Sequence, residues 1–238
     1  MKLIINGCAG RMGATLVRLA VAHPDIALVG GFEAAGSDAL NTDLGTLAGL
    51  DACGVVAGEM NSDLEADAIV DFSTPAATAA LAVIAAETGT AHIIGTTGFD
   101  DATEAAIAEA ARRVVVVKSG NMSLGVNLLA ALVERAAEKL PDWDVSVVDL
   151  HHRHKVDAPS GTALLLGEAA GRKTDFASLR GGSVVGAHDV YLAGEGEYLV
   201  LSHRAENRDI FAQGALTAAL WAQTAKAGLY SMRDVLGV

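Results

Sequence analysis

Residues 2–13 read KLIINGCAGRMG, an apolar run that leads into three glycines spaced three residues apart. The pattern predicts a strand over Lys2 to Asn6 and a helix over Met12 to Ala22. Glycines between a strand and a helix let the backbone approach a pyrophosphate, whose charge is met by the amides and dipole at the helix N-terminus. This stretch therefore predicts a dinucleotide-binding unit, although a tight turn without a ligand is the simpler alternative.

The second predicted strand supplies context for this turn. The spacing of the three glycines in the turn, G-x-x-G-x-x-G, is a variant of the commoner G-x-G-x-x-G. Glu33 follows 20 residues after Gly13, where a carboxylate accepts hydrogen bonds from the adenosine ribose and repels a 2′-phosphate. We expect NADH as the preferred cofactor and leave NADPH open, because Arg11 lies close to the same turn.

The alternation of short apolar runs with Ala-rich helical stretches predicts successive βαβ units and a parallel sheet. The predicted strands are 26–32, 68–72, 91–94 and 114–118, and the predicted helices are 75–88 and 101–112. Beyond a helix over 126–140 the pattern changes to longer strands over 144–151, 183–192 and 197–203. The last two flank a Gly-rich connection, which predicts antiparallel pairing. A final apolar helix is predicted over 211–227, with Leu220 and Trp221 on its buried side.

The predicted fold class is therefore α/β, with two domains. Residues 1–122 and 213–238 form a doubly wound parallel sheet that binds the dinucleotide. Residues 123–212 form a smaller α+β domain with a mixed sheet, expected to bind substrate and to carry oligomer contacts.

Composition excludes several classes of function. The chain has 17 basic and 29 acidic side chains, a net charge of −12, which argues against a nucleic-acid partner. No apolar run is long enough to span a membrane and the N-terminus lacks a signal-peptide pattern, so we expect a cytoplasmic protein. Cys8 and Cys53 have no metal-binding spacing, and we expect no metal site.

Two further polar segments end predicted strands of the parallel sheet. They are Gly95-Thr96-Thr97-Gly98 and Ser119-Gly120-Asn121-Met122. Ligands bind outside the carboxyl ends of parallel strands, so both segments are expected near the nicotinamide and its ribose. Ordinary turn chemistry also explains these residue types.

The basic loop, residues 149–163, is the most informative segment of the second half. Three of the seven histidines, an arginine and a lysine fall within residues 151–155 of an acidic protein. Ser160-Gly161-Thr162 then opens a helix, which predicts an anion site suited to a dicarboxylate. Histidine and lysine are also natural proton donors for a reduction. A metal site on Asp149, His152 and His154 is a weaker alternative because Arg153 and Lys155 would lie beside the metal, and a solvated basic strand end is another.

The sequence resembles the 4-hydroxy-tetrahydrodipicolinate reductases (dihydrodipicolinate reductases) of lysine and diaminopimelate biosynthesis over nearly its whole length. The residues that carry the resemblance are Gly7–Gly13, Asp71-Phe72-Ser73 before Pro75, Gly95–Phe99, Asn121–Asn127, His151–Ala163 and Met232–Leu236.

The resemblance implies an N-terminal Rossmann domain, a homotetramer, and hydride transfer from NADH or NADPH to a small dicarboxylate. It implies that His151 is the acid/base residue and Lys155 the proton donor. The implied substrate contacts are His152, Gly161, Thr162 and Thr97. The implied cofactor contacts are Gly7, Cys8, Ala9, Gly10, Arg11, Met12, Glu33, Gly95, Thr96, Thr97, Ser119, Gly120, Asn121 and Met122.

Three positions depart from the family pattern. Asp149 stands where glutamate is usual, Ala34 replaces an arginine that would favour NADPH, and residues 171–183 form a shorter stretch than in longer members. Two alternatives remain open: a related reductase of another small imino or keto acid, and a dinucleotide sensor without turnover. The sensor would need the glycine turn but not His151 and Lys155.

Overall fold

A seven-stranded parallel sheet forms the centre of the first of two units in the computed structural model, which describes residues 1–238. The first unit comprises Met1–Met122 and Phe211–Val235, and the second comprises Ser123–Ile210 with Leu236–Val238. None of the helices has the length and apolar character that a membrane span requires.

The first unit alternates strands and helices along the chain. Its strands are β1 (Lys2–Asn6), β2 (Ala27–Glu33), β3 (Ala57–Glu59), β4 (Ala68–Asp71), β5 (Ala91–Ile94), β6 (Val115–Lys118) and β11 (Gly228–Tyr230), in the spatial order β11-β6-β5-β4-β1-β2-β3. Its helices are α1 (Arg11–Ala22), α2 (Leu44–Leu47), α3 (Pro75–Thr88), α4 (Asp101–Ala110), α7 (Asp209–Ala222) and α8 (Met232–Leu236), the first residues of α7 and the last of α8 belonging to the second unit. The order reverses beside β1, which places a ligand-binding crevice at its carboxyl end.

Local sequence explains these elements. β4 and β5 are buried along their whole length, as expected for strands covered on both faces. α3 begins at Pro75 after Thr74, whose side chain accepts from the Ala77 amide, and ends at Gly89 with φ +79°, an arrangement that satisfies both helix ends. The predicted α/β class with a parallel sheet is confirmed.

The second unit contains a four-stranded mixed sheet in the order β10-β9-β7-β8. Its elements are α5 (Leu124–Lys139), β7 (Asp144–His151), α6 (Gly161–Ala169), β8 (Thr174–Arg180), β9 (Gly186–Ala193) and β10 (Tyr198–Ala205). β7 pairs with β8 in parallel and with β9 in antiparallel, and β9 and β10 form the predicted antiparallel pair. The core residues of α5 and α6 pack against the sheet around Val147, Leu166 and Val190.

Three predictions about the C-terminal half are wrong. The last long helix ends at Ala222, because the chain turns there and enters β11 beside β6. Leu220 and Trp221 are only half-buried, since alanines and Leu216 fill the interior side, and Trp221 packs edge-on against Tyr230 at 5.0 Å. The strand predicted from residue 183 begins at Gly186.

Candidate active site

The glycine turn leaves no room for side chains. Gly7 has φ +78°, and a Cβ there would lie 2.7 Å from the Phe72 carbonyl oxygen. A Cβ on Gly13 would lie 2.1 Å from the Gly7 carbonyl oxygen. The turn leads directly into α1, whose first residue is Arg11. These residues fit a dinucleotide pyrophosphate, because bare backbone is exposed next to a helix N-terminus.

Glu33 joins the turn at the end of β2. The Ala9 amide donates a hydrogen bond to Glu33 Oε1 at 2.7 Å. A cleft of about 610 Å³ opens here, lined by Asn6, Gly7, Ala9, Gly10, Glu33, Ala34, Ala35, Glu59, Met60, Phe72, Ser73, Thr74 and Ala77. The structure thus brings the predicted ribose-binding carboxylate together with the predicted pyrophosphate turn, and the neutral Ala34 and Ala35 line the same cleft.

The side chains within the turn differ in exposure. Arg11 is exposed and Met12 is half-buried, whereas Cys8 is fully buried. Burial, reinforced by the charge of Glu33, raises the pKa of the Cys8 thiol to about 11. The thiol therefore stays protonated and packs inward, so only the backbone of Cys8 faces a ligand.

The segments after β5 and β6 lie at adjacent strand ends of the sheet. Thr96 is buried and accepts from the Ser73 amide at 2.9 Å, whereas Thr97 is exposed. A Cβ on Gly95 would overlap the Phe72 ring. Ser119 Oγ donates to the Asn121 carbonyl oxygen at 2.7 Å, which shapes the turn that exposes Gly120 and buries Met122.

Asp71 forms a buried polar hub that sequence analysis missed. Its carboxylate accepts from Asn6 Nδ2 at 3.0 Å, Ser73 Oγ at 2.5 Å and Thr78 Oγ1 at 2.7 Å, and it lies 3.2 Å from Nε2 of the fully buried His92. Burial acts to raise the pKa of Asp71, but the bonds from His92 and the hydroxyls outweigh it and lower the pKa. The ionised hub ties together β1, β4, β5 and α3 beneath the cleft. Its only sequence signal was the Asp71-Phe72-Ser73 motif.

In the second unit, β7 carries a buried aspartate–histidine pair. His151 Nδ1 lies 2.9 Å from Asp149 Oδ2. Asp149 also accepts from Ser178 Oγ and, at 3.1 Å, from Arg180 Nη1. Burial acts to raise the pKa of Asp149, yet these partners hold it below its ordinary value. The carboxylate is therefore ionised and orients the His151 ring.

The surroundings of His151 favour its neutral form. Burial lowers the pKa of His151 and the nearby charge of Lys155 lowers it further, while Asp149 opposes both effects. Lys155 Nζ forms an ion pair with Asp157 Oδ1 at 2.8 Å. His151 and Lys155 are thus close enough in the basic loop to influence each other electrostatically.

The alternative metal set of Asp149, His152 and His154 is not assembled. Asp149 is buried against His151, whereas His152 is half-buried and His154 is exposed. The ligand atoms that lie within 4.8 Å of one another belong instead to Asp149, His151 and His188. The Arg180 guanidinium already donates a hydrogen bond to the Asp149 carboxylate, and a positive charge beside a metal ion is unfavourable.

The predicted anion site lies at the start of α6. Ser160 is the N-cap, and its Oγ accepts from the Ala163 amide at 3.1 Å. Gly161 and Thr162 occupy the first turn of this nine-residue helix, where the helix dipole favours an anion. The serine cap fixes the end of the helix that follows the basic loop.

Comparison with known proteins gives concordant results. A family model described as the N-terminus of dihydrodipicolinate reductase matches residues 1–122, and one for the C-terminus of the same enzyme matches residues 125–236. The 4-hydroxy-tetrahydrodipicolinate reductase of Parvibaculum lavamentivorans is 51% identical over 266 aligned positions, which cover 100% of this chain and 98% of the relative. That of Rhodopseudomonas palustris is 52% identical with the same coverage.

A solved structure supports the fold. Dipicolinate-bound dihydrodipicolinate reductase from Paenisporosarcina superposes with a TM-score of 0.83 at 21% identity, covering 98% of both chains. The resemblance predicted from the motifs is confirmed: the chain belongs to the dihydrodipicolinate reductase family.

Proposed function

We propose that this chain reduces 4-hydroxy-tetrahydrodipicolinate to tetrahydrodipicolinate with NADH or NADPH, using His151 and Lys155 as its proton-handling residues. The observation that supports this proposal best is the buried Asp149–His151 pair next to Lys155 and a capped helix N-terminus. A sensor without turnover would have no use for this group.

The glycine turn, Glu33 and the segments after β5 and β6 would hold the dinucleotide. When bound, the cofactor would supply a hydride to C4 of the conjugated imine that forms once the 4-hydroxyl has left as water, and one proton from the protein would balance the added hydride. Glu33 would accept from the ribose hydroxyls, and its charge, with neutral Ala34 beside it, favours NADH over NADPH.

The second unit would hold the dicarboxylate and handle the proton. Gly161 and Thr162 at the start of α6, with His152 and the cationic Lys155, supply donors and positive charge for carboxylates. We assign a further substrate contact to Thr97 of the first unit. Because Nδ1 of His151 is hydrogen-bonded to Asp149, Nε2 is the ring nitrogen available for proton exchange.

Turnover measurements on variants test this assignment. We expect Lys155→Ala and His151→Gln to lower kcat by roughly 10²- to 10⁴-fold, the range for a lost general acid, while the NADH dissociation constant stays unchanged. Lys173→Ala, an exposed lysine of the same unit, is the matched control and should keep wild-type kcat. The assay follows loss of reduced-nicotinamide absorbance, with substrate formed in situ from pyruvate and aspartate semialdehyde.

Two results would contradict the proposal. Wild-type binding of NADH without oxidation would indicate a sensor or a reductase of another imino or keto acid. Loss of NADH affinity in Lys155→Ala equal to its loss of turnover would show that Lys155 is not a proton donor.

We also propose that the chain forms a homotetramer through the sheet face of the second unit opposite α5 and α6. By strand register this face carries Leu150, Leu179, Tyr191, Tyr198 and Val200, and Leu179 and Tyr198 are 54% and 69% exposed. The same face also carries Asp189 and Arg204, and exposed apolar side chains with polar neighbours are typical of an interface. Sedimentation velocity should show a tetramer that Leu179→Asp dissociates, and a monomeric wild type would refute the idea.

A cytoplasmic location is part of the same proposal, tested by cell fractionation.

A further inference from the structure

A row of polar side chains crosses all four strands of the second unit's sheet. Strand register pairs His203 of β10 with His188 of β9, His188 with Asp149 of β7, and Asp149 with Ser178 of β8. We call these four residues the polar row. It separates the apolar core from the end of β7 that carries His151.

The reaction as proposed above gives no role to two members of the polar row, His188 and His203, and His188 is the one that contacts His151 and Ser160. His188 is only 4% exposed. Its ring packs edge-on against the His151 ring, with centroids 5.1 Å apart and planes at 72°. Its Nε2 lies 3.3 Å from Ser160 Oγ, and its Nδ1 is buried without a hydrogen-bond partner. Burial of a polar group with an unmet hydrogen bond is costly, so its presence calls for an explanation.

His188 therefore contacts two parts of the proposed site at once. One contact is with His151, which Asp149 orients from the other side. The other is with Ser160, the cap that fixes the first turn of α6. A single rigid ring thus links the proton-handling residue to the helix end proposed to bind the carboxylate.

Burial, together with the positively charged groups around it, keeps His188 neutral against the opposing charge of Asp149. The groups that face it are Asp149 and His151 on β7, His203 on β10 and Lys155 in the basic loop, while Arg180 on β8 acts on His151. Burial, followed by the charge of His151, lowers the pKa of His188 to about 4. Whichever ring nitrogen carries the proton, the imidazole can share a hydrogen bond with the Ser160 hydroxyl without adding a positive charge beside His151.

We propose that His188 is a positioning residue of the reductase, which holds the His151 ring and the Ser160-capped start of α6 in register for the dicarboxylate. The inference rests on the proposed roles of His151 and α6. His188 would act through its contacts with His151 and Ser160.

Three substitutions separate positioning from simple stability. His188→Leu removes the polar contact, His188→Asn keeps a neutral polar group too short to reach Ser160, and His188→Gln keeps one that can reach it. We expect the leucine and asparagine variants to raise KM for the dicarboxylate about fivefold to tenfold, the size of one neutral hydrogen bond. In His188→Gln, the KM for the dicarboxylate should return most of the way to the wild-type value. The NADH dissociation constant should not change, and His23→Leu in the first unit serves as the matched control.

The pH profile supplies a second readout. The His188 imidazole is a polar neighbour of His151, and a leucine side chain cannot stabilise the protonated form of His151. In His188→Leu, the pH midpoint that His151 contributes to the kcat profile should therefore move to lower pH. Partial unfolding would lower kcat alone and leave both KM and the midpoint unchanged. If His188→Leu fails to fold, the comparison of asparagine with glutamine decides, because both are neutral amides.

The reference variant His151→Gln distinguishes two kinds of failure. If it turns over at the wild-type rate, the proposed role of His151 is wrong and the inference falls with it. If it is slow while His188→Leu and His188→Asn keep the wild-type KM and pH profile, only the role of His188 is refuted.

Discussion

Acidification is expected to destabilise the second unit through His188. Folding lowers the pKa of this histidine from 6.5 to about 4, so the folded state holds the proton less tightly than the unfolded chain. A histidine with a depressed folded pKa contributes stability that is complete above the unfolded pKa and is lost as the pH falls through the interval between the two values. The window therefore runs from about pH 6.5 down to about pH 4.

The size of the effect follows from the same shift. One pKa unit corresponds to about 1.4 kcal/mol, so the full interval is worth about 3 kcal/mol. Integrated only to about pH 5, the loss is about 2 kcal/mol of unfolding free energy. His151 and His203 have pKa values lowered in the same direction, so the wild-type loss should be at least this large. The contribution of His188 is the difference between wild type and His188→Leu.

Urea unfolding across this pH range measures the difference. Trp143 belongs to the second unit and Trp221 to the first, so Trp221→Phe leaves a single fluorophore that reports the second unit. In that background, the free energy of unfolding of His188→Leu should fall by about 2 kcal/mol less than that of the unsubstituted protein between about pH 8 and about pH 5. Parallel curves for the two proteins would refute the reasoning, because they would mean that His188 titrates alike in the folded and unfolded states.

Three other substitutions test the fold and the cofactor site, each by a different measurement. Gly7→Ala should lower NADH affinity more than tenfold and destabilise the first unit. The control Gly36→Ala has a similar φ of +76° but open space around its Cβ, so it should cost only about 1 kcal/mol of strain. Fluorescence titration with NADH and thermal melts distinguish the two variants. Leu166→Ala in the fully buried core should cost about 2–5 kcal/mol in urea unfolding, against little for Leu164→Ala, which is 44% exposed. Glu33→Ala should weaken NADH binding and raise the NADPH-to-NADH rate ratio, and an unchanged ratio would remove Glu33 from cofactor selection.

Local sequence patterns were sufficient for five of the seven strands of the parallel sheet and for the glycine turn, whereas the three-residue strands β3 and β11 were missed. The run Lys2–Asn6, the glycines after it and the helix behind them are contiguous, so their physical logic is contained in one stretch of chain. β8 was missed because Thr174–Arg180 contains charged and polar residues and no apolar run, and its strand conformation depends on pairing with β7. The end of α7 was misplaced because residues that favour helices, such as Gln223, Ala225 and Lys226, continue past Ala222 into the turn before β11.

The candidate site divides in the same way. The sequence by itself determined the family, the glycine turn with Glu33 and the basic loop, because each is carried by residues that are neighbours in a motif. The roles of His151 and Lys155 come from the resemblance and stay predictions. Only the tertiary structure decided the buried partners: His92 on Asp71, and Ser178, Arg180 and His188 around the Asp149–His151 pair. These groups are far apart along the chain and meet through strand register and burial, which set their contacts and which no local pattern encodes.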